Sequence, residues 1–284
     1  MKELHHELKT LNRLILRLVN HLSPEIDKSL LDRYMAFRAF SYNHALILKP
    51  VPEPDPVRIH ELKGIEHLLE QLKDNTEQFL RGLPHNNVLL YGPRGVGKSS
   101  AVKCMLNEYQ QEGLRLIEVD KDALMHLPEI KELIRGRTER YILFCDDLSF
   151  DLDDSSYRQL KATLEGSIEA RPQNLVVYAT SNRRHLMPEC VEENLQELHP
   201  SETMEEKVSL SDRFGLRLGF TVFNQDTYLS IVRNYVKLRG LQIEEDALER
   251  AAIEWSISHG SFSGRTARQF VDHIEGRMKL KDHD

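Results

Sequence analysis

Residues 88 to 100 read Val-Leu-Leu-Tyr-Gly-Pro-Arg-Gly-Val-Gly-Lys-Ser-Ser, and Gly92, Gly97, Lys98 and Ser99 meet the spacing G-x-x-x-x-G-K-[ST]. That spacing suits the holding of a polyphosphate. Glycines allow successive backbone N–H groups to turn inward around an anion. A helix beginning near Lys98 aims the positive end of its dipole at the same anion. Lys98 is placed to reach β- and γ-phosphate oxygens, and the Ser99 hydroxyl to hold a Mg²⁺ ion. The run Gly92, Pro93, Arg94, Gly95, Val96, Gly97, Lys98, Ser99 and Ser100 is therefore the expected nucleotide-binding loop, with ATP and Mg²⁺ as its ligands. Chance matches to so short a pattern occur, so context decides. Here a strand-like run (Val88 to Tyr91) precedes the loop and a helix-like run (Ser99 to Gln111) follows it.

A second group is Tyr141-Ile142-Leu143-Phe144-Cys145-Asp146-Asp147. Five largely apolar residues make a buried strand that ends in two carboxylates. Taken alone, such a pair is an ordinary strand exit. Downstream of a phosphate loop it suits a metal site, with Asp146 anchoring Mg²⁺ beside Ser99 and Asp147 orienting the water that attacks the γ-phosphate.

These groups need a scaffold, and the chain supplies a regular one. From Val57 to about Val222, short apolar runs (Val88–Tyr91, Arg115–Val119, Tyr141–Cys145, Leu175–Ala179 and Arg217–Val222) alternate with helical stretches. Such alternation predicts an α/β domain, a parallel sheet with helices on both faces. Residues 224–284 carry three apolar stripes at helical spacing, around Tyr228 and Val232, around Leu248 and Trp255, and around Phe270 and Ile274. Residues 1–49 also read as helical, first Leu4 to Leu22, then a second helix from Ser23-Pro24 through Leu30, Leu31, Tyr34 and Met35. Residues 50–56, with four prolines, read as a stiff connector between that segment and a domain over 57–223.

Composition narrows the class. The chain has 284 residues, room for about two domains, and a net charge of −7. That balance argues against a surface that coats nucleic acid, although a local basic groove stays open. No apolar stretch approaches the roughly 18 residues of a membrane span. The N-terminus has no uninterrupted apolar core, so a signal peptide is not expected and a cytoplasmic protein is. Cys104, Cys145 and Cys190 form no C-x-x-C pair and read as free thiols in a reducing compartment. His60-Glu61 lacks the second histidine of a zinc motif, leaving Mg²⁺ as the one metal indicated.

On these motifs the chain resembles the AAA+ ATPases over roughly residues 57 to 278. Leu175 to Asn182 is similar to the family's sensor-1 strand, which implies that Asn182 contacts the attacking water or the γ-phosphate. Ser211-Asp212-Arg213-Phe214-Gly215-Leu216 is similar to the arginine-finger segment, which implies that Arg213 enters a neighbouring subunit's site. Gly264-Arg265-Thr266-Ala267-Arg268-Gln269-Phe270 resembles the sensor-2 helix, implying Arg265 as a γ-phosphate contact with Arg268 as the alternative. Arg58 to Ile65 looks like the segment that covers the adenine. Each has a plainer reading: a helix-end charge for Arg213, a turn residue for Asn182, a solvated helix face for Arg265 and Arg268. The resemblance implies a three-layer αβα domain with a C-terminal helical lid, and an ATP-dependent homo-oligomer with a hexamer as the candidate number. More narrowly, Asn-Val-Leu-Leu-Tyr-Gly-Pro-Arg-Gly, Phe-Cys-Asp-Asp-Leu-Ser-Phe and Ser-Gly-Arg-Thr-Ala-Arg-Gln-Phe resemble a bacterial AAA+ family catalogued only as an ATPase domain of unknown function.

One departure stands out. The family usually places Glu where this chain has Asp147, one methylene shorter, which implies slower hydrolysis and suits a switch. The stretch Asp120 to His126, after the second expected strand, lacks the aromatic and glycine of protein-threading members. Arg135, Arg137, Arg140, Arg183, Arg184 and Arg217 are basic but have no interleaved aromatics for base stacking. The leading expectation is remodelling or switching of a protein partner. A DNA or RNA loader and a slow ATP-gated scaffold are the alternatives.

Overall fold

The computed structural model describes residues 26–150, 156–165, 172–183, 186 and 210–281. The first expected helix, Leu4 to Leu22, Arg184 and Cys190 lie outside them. Among the described residues a seven-stranded sheet forms in the order β2-β1-β4-β5-β6-β3-β7. Its strands are β1 (Ala36–Tyr42), β2 (Ala45–Pro50), β3 (Val88–Tyr91), β4 (Leu114–Val119), β5 (Arg140–Cys145), β6 (Leu175–Ser181) and β7 (Leu216–Gly219). Only the β1–β2 pair is antiparallel.

Strand alternation builds two apolar layers. Ile142, Phe144, Val176 and Tyr178 face one side, with α2 (Glu66–Leu80) and α3 (Lys98–Tyr109). Tyr141, Leu143, Val177 and Ala179 face the other, with α4 (Leu127–Ile134) and α5 (Ser156–Glu165). β5 and β6 are therefore apolar throughout, as strands covered on both faces must be. The one polar atom that Tyr178 brings inside is satisfied, its hydroxyl lying 2.8 Å from Thr76 Oγ1 and accepting from Asn75 Nδ2 at 3.2 Å. The result is a three-layer α/β fold.

The last three helices are α6 (Gln225–Leu238), α7 (Glu245–His259) and α8 (Gly264–Lys281). The Asn224 side chain caps α6 by accepting from the Thr227 amide at 2.8 Å, and Tyr228 donates to the Ala252 carbonyl at 3.0 Å to tie α6 to α7.

The expectation of a helical 1–49 is corrected over residues 36–50. Among the described residues ahead of that stretch only a short α1 (Leu30–Arg33) is helical, and residues 36–50 form a hairpin whose β1 extends the sheet alongside β4. Strand geometry places Phe37 and Ala39 on one buried face and Ala36 on the other, while Arg38 points out to a bidentate pair with Asp120, both contacts at 3.1 Å. The two-residue turn uses Asn43 (φ 49°) and His44 (φ 61°), the double left-handed geometry that fits a twisted hairpin. The proline-rich stretch is not a free spacer either. Asn107 on α3 donates to the carbonyls of Asp55 at 2.8 Å and Val57 at 2.9 Å, which straps residues 55–57 along that helix. Finally, the last strand ends at Gly219 rather than Val222, which is 72% exposed.

Candidate functional site: a phosphate-loop cleft

The ends of β3, β5 and β6 bring the sequence-predicted groups together. After β3 the chain turns through Gly92, which lies so close to β7's exit that a Cβ would stand 2.2 Å from the Phe220 carbonyl oxygen. Only glycine fits that approach. Gly97, in a left-handed conformation (φ 98°), then launches α3. Lys98, 7% exposed, curls back so that its Nζ donates to the carbonyls of Gly92 (2.7 Å) and Pro93 (2.6 Å) and to Asn182 Oδ1 (3.0 Å). Burial pushes its pKa below that of an ordinary lysine; Asp147 and Asp146 oppose that shift, and Arg94 and Arg265 add to it.

Ser99 donates to Asp146 Oδ1 at 2.6 Å, so the expected magnesium pair is in contact across 47 positions of sequence. Asp147 follows in a left-handed conformation (φ 50°), which aspartate tolerates better than most residues. Its side chain accepts from Asn182 Nδ2, and Arg94 Nη2 lies 3.7 Å from its second oxygen. That ion pair is exposed and worth little to stability.

One residue here escaped the sequence reading. Thr180, 1% exposed, donates to Asp146 Oδ1 at 2.5 Å and accepts from the Asp147 amide at 2.8 Å, holding the Asp146 carboxylate and the Asp147 backbone at once. The available signal was position: Thr180 stands one strand period before Asn182 in a run otherwise apolar up to that point.

These groups line a cleft of about 580 Å³ whose other wall carries Leu62, Ile65, Phe223, Ile231 and Tyr235, with Arg265 and Arg268 from α8. One end is thus polar and one apolar, as a phosphate-bearing nucleobase compound requires. The segment expected to cover the adenine contributes Glu61, Leu62, Lys63 and Ile65, and α6 pins it, Asn234 donating to the His60 carbonyl at 3.0 Å. Arg213 is exposed just before β7 and does not line this cleft. Of the stretch Asp120 to His126, Ala123, Leu124 and His126 are buried, and His126 contacts Ser41 (3.3 Å) and Glu129 (2.8 Å).

A proteasome-associated ATPase of Saccharomonospora viridis is 25% identical over 189 residues, covering 51% of this chain and 30% of that protein. The chain spans less than a third of the length of the curated relatives it matches. Among solved structures, the Thermotoga maritima RuvB Holliday junction branch migration motor superposes with a TM-score of 0.54 at 19% identity, covering 80% of this chain and 67% of that one. The AAA domain of FIGL-1 in complex with ADP gives 0.55 at 18% identity, over 87% and 78%. At those identities the two structures show the fold alone, and that fold is AAA+. Residues 32–278 match the family described as "Protein of unknown function (DUF815)", and with most of its length inside that match the chain belongs to this family.

Proposed function

We propose that this chain is an ATPase that binds Mg-ATP in the cleft and hydrolyses it at a site completed by a neighbouring copy, so as to remodel or switch a protein partner. The observation that carries the reading is the convergence of Lys98, Ser99, Asp146, Asp147 and Asn182 at one mouth of one cleft. Lys98 would transfer from loop carbonyls to phosphate oxygens. Ser99 and Asp146, already paired, offer two hard oxygen donors suited to Mg²⁺, which when bound neutralises phosphate charge. Asp147, steadied by Asn182 and the Thr180 hydroxyl, would accept a proton from water as its oxygen attacks the γ-phosphorus and the bond to the bridging oxygen of ADP breaks.

A protein partner is favoured over nucleic acid by the state of the arginines. Arg135 is bonded to Glu132, Arg137 to Asp32 and Glu139, Arg217 to Asp212, and Arg140 to the Gln173 carbonyl. Cations committed to carboxylates and carbonyls release few counterions on meeting phosphates. The name of the proteasome-associated relative points to protein handling as well, whereas the branch-migration motor is related by fold only.

The test is calorimetric titration with ATP plus Mg²⁺, and turnover measured by phosphate release, on the wild type and on Lys98→Ala. Micromolar binding and measurable turnover in the wild type are expected, with binding weakened at least about tenfold and turnover lost in the variant at unchanged circular dichroism. Equal affinity in the two proteins would overturn the reading.

A further inference from the structure

The phosphate-loop spacing calls for Gly92 and Gly97 and leaves position 95 unspecified, yet Gly95 stands there. Its surroundings belong to the lid. Helix α8 begins against the loop, and the Arg265 amide donates to the Gly95 carbonyl at 3.3 Å. A Cβ on Gly95 would stand 2.9 Å from Ser263 Oγ, 3.0 Å from Ser263 Cβ and 3.5 Å from Arg265 Cβ. The hydroxyl cannot simply swing aside. It caps α8 by accepting from the Thr266 amide at 3.1 Å and pairs with the Thr266 hydroxyl at 2.9 Å, with both residues buried. The opposing surface is also bare: a Cβ on Gly264 would come within 3.3 Å of the Gly95 carbonyl oxygen. Two glycines, one on the loop and one on the lid, thus let backbone meet backbone.

We propose that Gly95 is the seat of the lid, a positioning residue that allows α8 to lie against the phosphate loop and hold Arg265 and Arg268 over the cleft. Through this contact the loop's conformation and the lid's closure are one event, so a ligand that orders the loop is retained by the lid. The consequence for nucleotide retention rests on the ATPase reading above; the seating itself does not.

Gly95 also has a positive φ of 79°, a local reason for glycine that the test must separate from the lid contact. Amide hydrogen exchange over residues 261–268 of the nucleotide-free protein reads seating directly. Gly95→Ala is expected to speed exchange at the Arg265 amide about tenfold. Adding Ser263→Gly removes both the clashing hydroxyl and the Cβ, keeps a serviceable helix cap, and is expected to restore exchange to within about threefold of the wild type. Dissociation of a fluorescent ADP should follow the same order, about tenfold faster in the single variant and largely rescued in the double. Unchanged exchange in Gly95→Ala overturns the proposal, as does equally fast exchange in single and double, which would trace the effect to loop strain alone. If the wild type binds no nucleotide, the ATPase reading falls while the exchange result still decides the seat. Should Gly95→Ala fail to fold, Gly264→Val approaches the contact from the lid with the loop untouched. Faster Arg265 exchange supports the seat and wild-type exchange contradicts it.

Discussion

Lys98 gathers three acceptors with one ammonium, and Thr180 joins the Asp146 carboxylate to the Asp147 backbone amide with one hydroxyl; the site depends on both. A charge-assisted contact contributes about 1.5–3 kcal/mol, so Lys98→Ala is expected to weaken ATP binding about 10- to 100-fold in calorimetry. Asp147→Asn should leave binding intact and slow the chemical step, whereas Asp146→Asn should raise the Mg²⁺ concentration needed for half-maximal turnover. Equal loss of binding in both would contradict that division of roles. Thr180→Val is expected to lower kcat about tenfold and also raise the Mg²⁺ requirement, because it strips Asp146 of one of its donors and leaves the Asp147 amide only its longer contact, 3.2 Å, to Asp146 Oδ1. Most of these residues were legible from spacing, since phosphate chemistry demands glycine, lysine and a hydroxyl in a fixed order. Thr180 was not, because its role arises where β5 and β6 run side by side, and one sequence holds no record of that pairing.

At the scale of elements, the β1–β2 hairpin is the informative failure. Tyr34 and Met35 extend a helical apolar stripe, and the prolines after Lys49 suggest a boundary, so the segment reads as helical and joined to the domain over 57–223 by a connector. The competing signals were the aromatic-rich run from Ala36 to Tyr42 and the Asn43-His44 pair between two apolar runs, a turn without the glycine that usually marks it. In the fold, Phe37, Ala39, Leu46 and Leu48 are buried in the layer with α4, and β1 covers the edge of β4. A chain beginning at Val57 is therefore expected to be insoluble or unfolded. Phe37→Ala, at a fully buried ring, should cost about 3–5 kcal/mol in denaturant titration. Soluble, ATP-binding protein from the truncated chain would show the hairpin to be an accessory. The inner strands, by contrast, were read within a residue or two, because burial on both faces leaves an unbroken apolar run. That burial also sets reactivity: it pushes the thiols of Cys104 and Cys145 up to about 12. Thiolate therefore appears only as pH rises toward 12, and at pH 8 neither cysteine should react with iodoacetamide until the protein is denatured, as peptide mapping would show.

At the scale of the whole molecule, the cleft gathers the loop, the strand ends and the lid from one chain, while Arg213 lies outside it, exposed ahead of β7. That placement suits a guanidinium delivered to a neighbour, where such groups contribute about 10³–10⁵ in rate, or roughly 4–7 kcal/mol of barrier. Arg213→Ala should bind ATP nearly as the wild type does, and wild-type specific activity should climb with protein concentration as copies associate. The most direct measurement mixes two inactive proteins, Arg213→Ala with its phosphate loop intact and Lys98→Ala with its finger intact, and follows phosphate release across mixing ratios. A shared site predicts activity that is absent from either protein alone and maximal near equal proportions, where an intact loop meets an intact finger. Full hydrolysis by Arg213→Ala alone, or no recovery at any ratio in mixtures that demonstrably co-assemble, would contradict it.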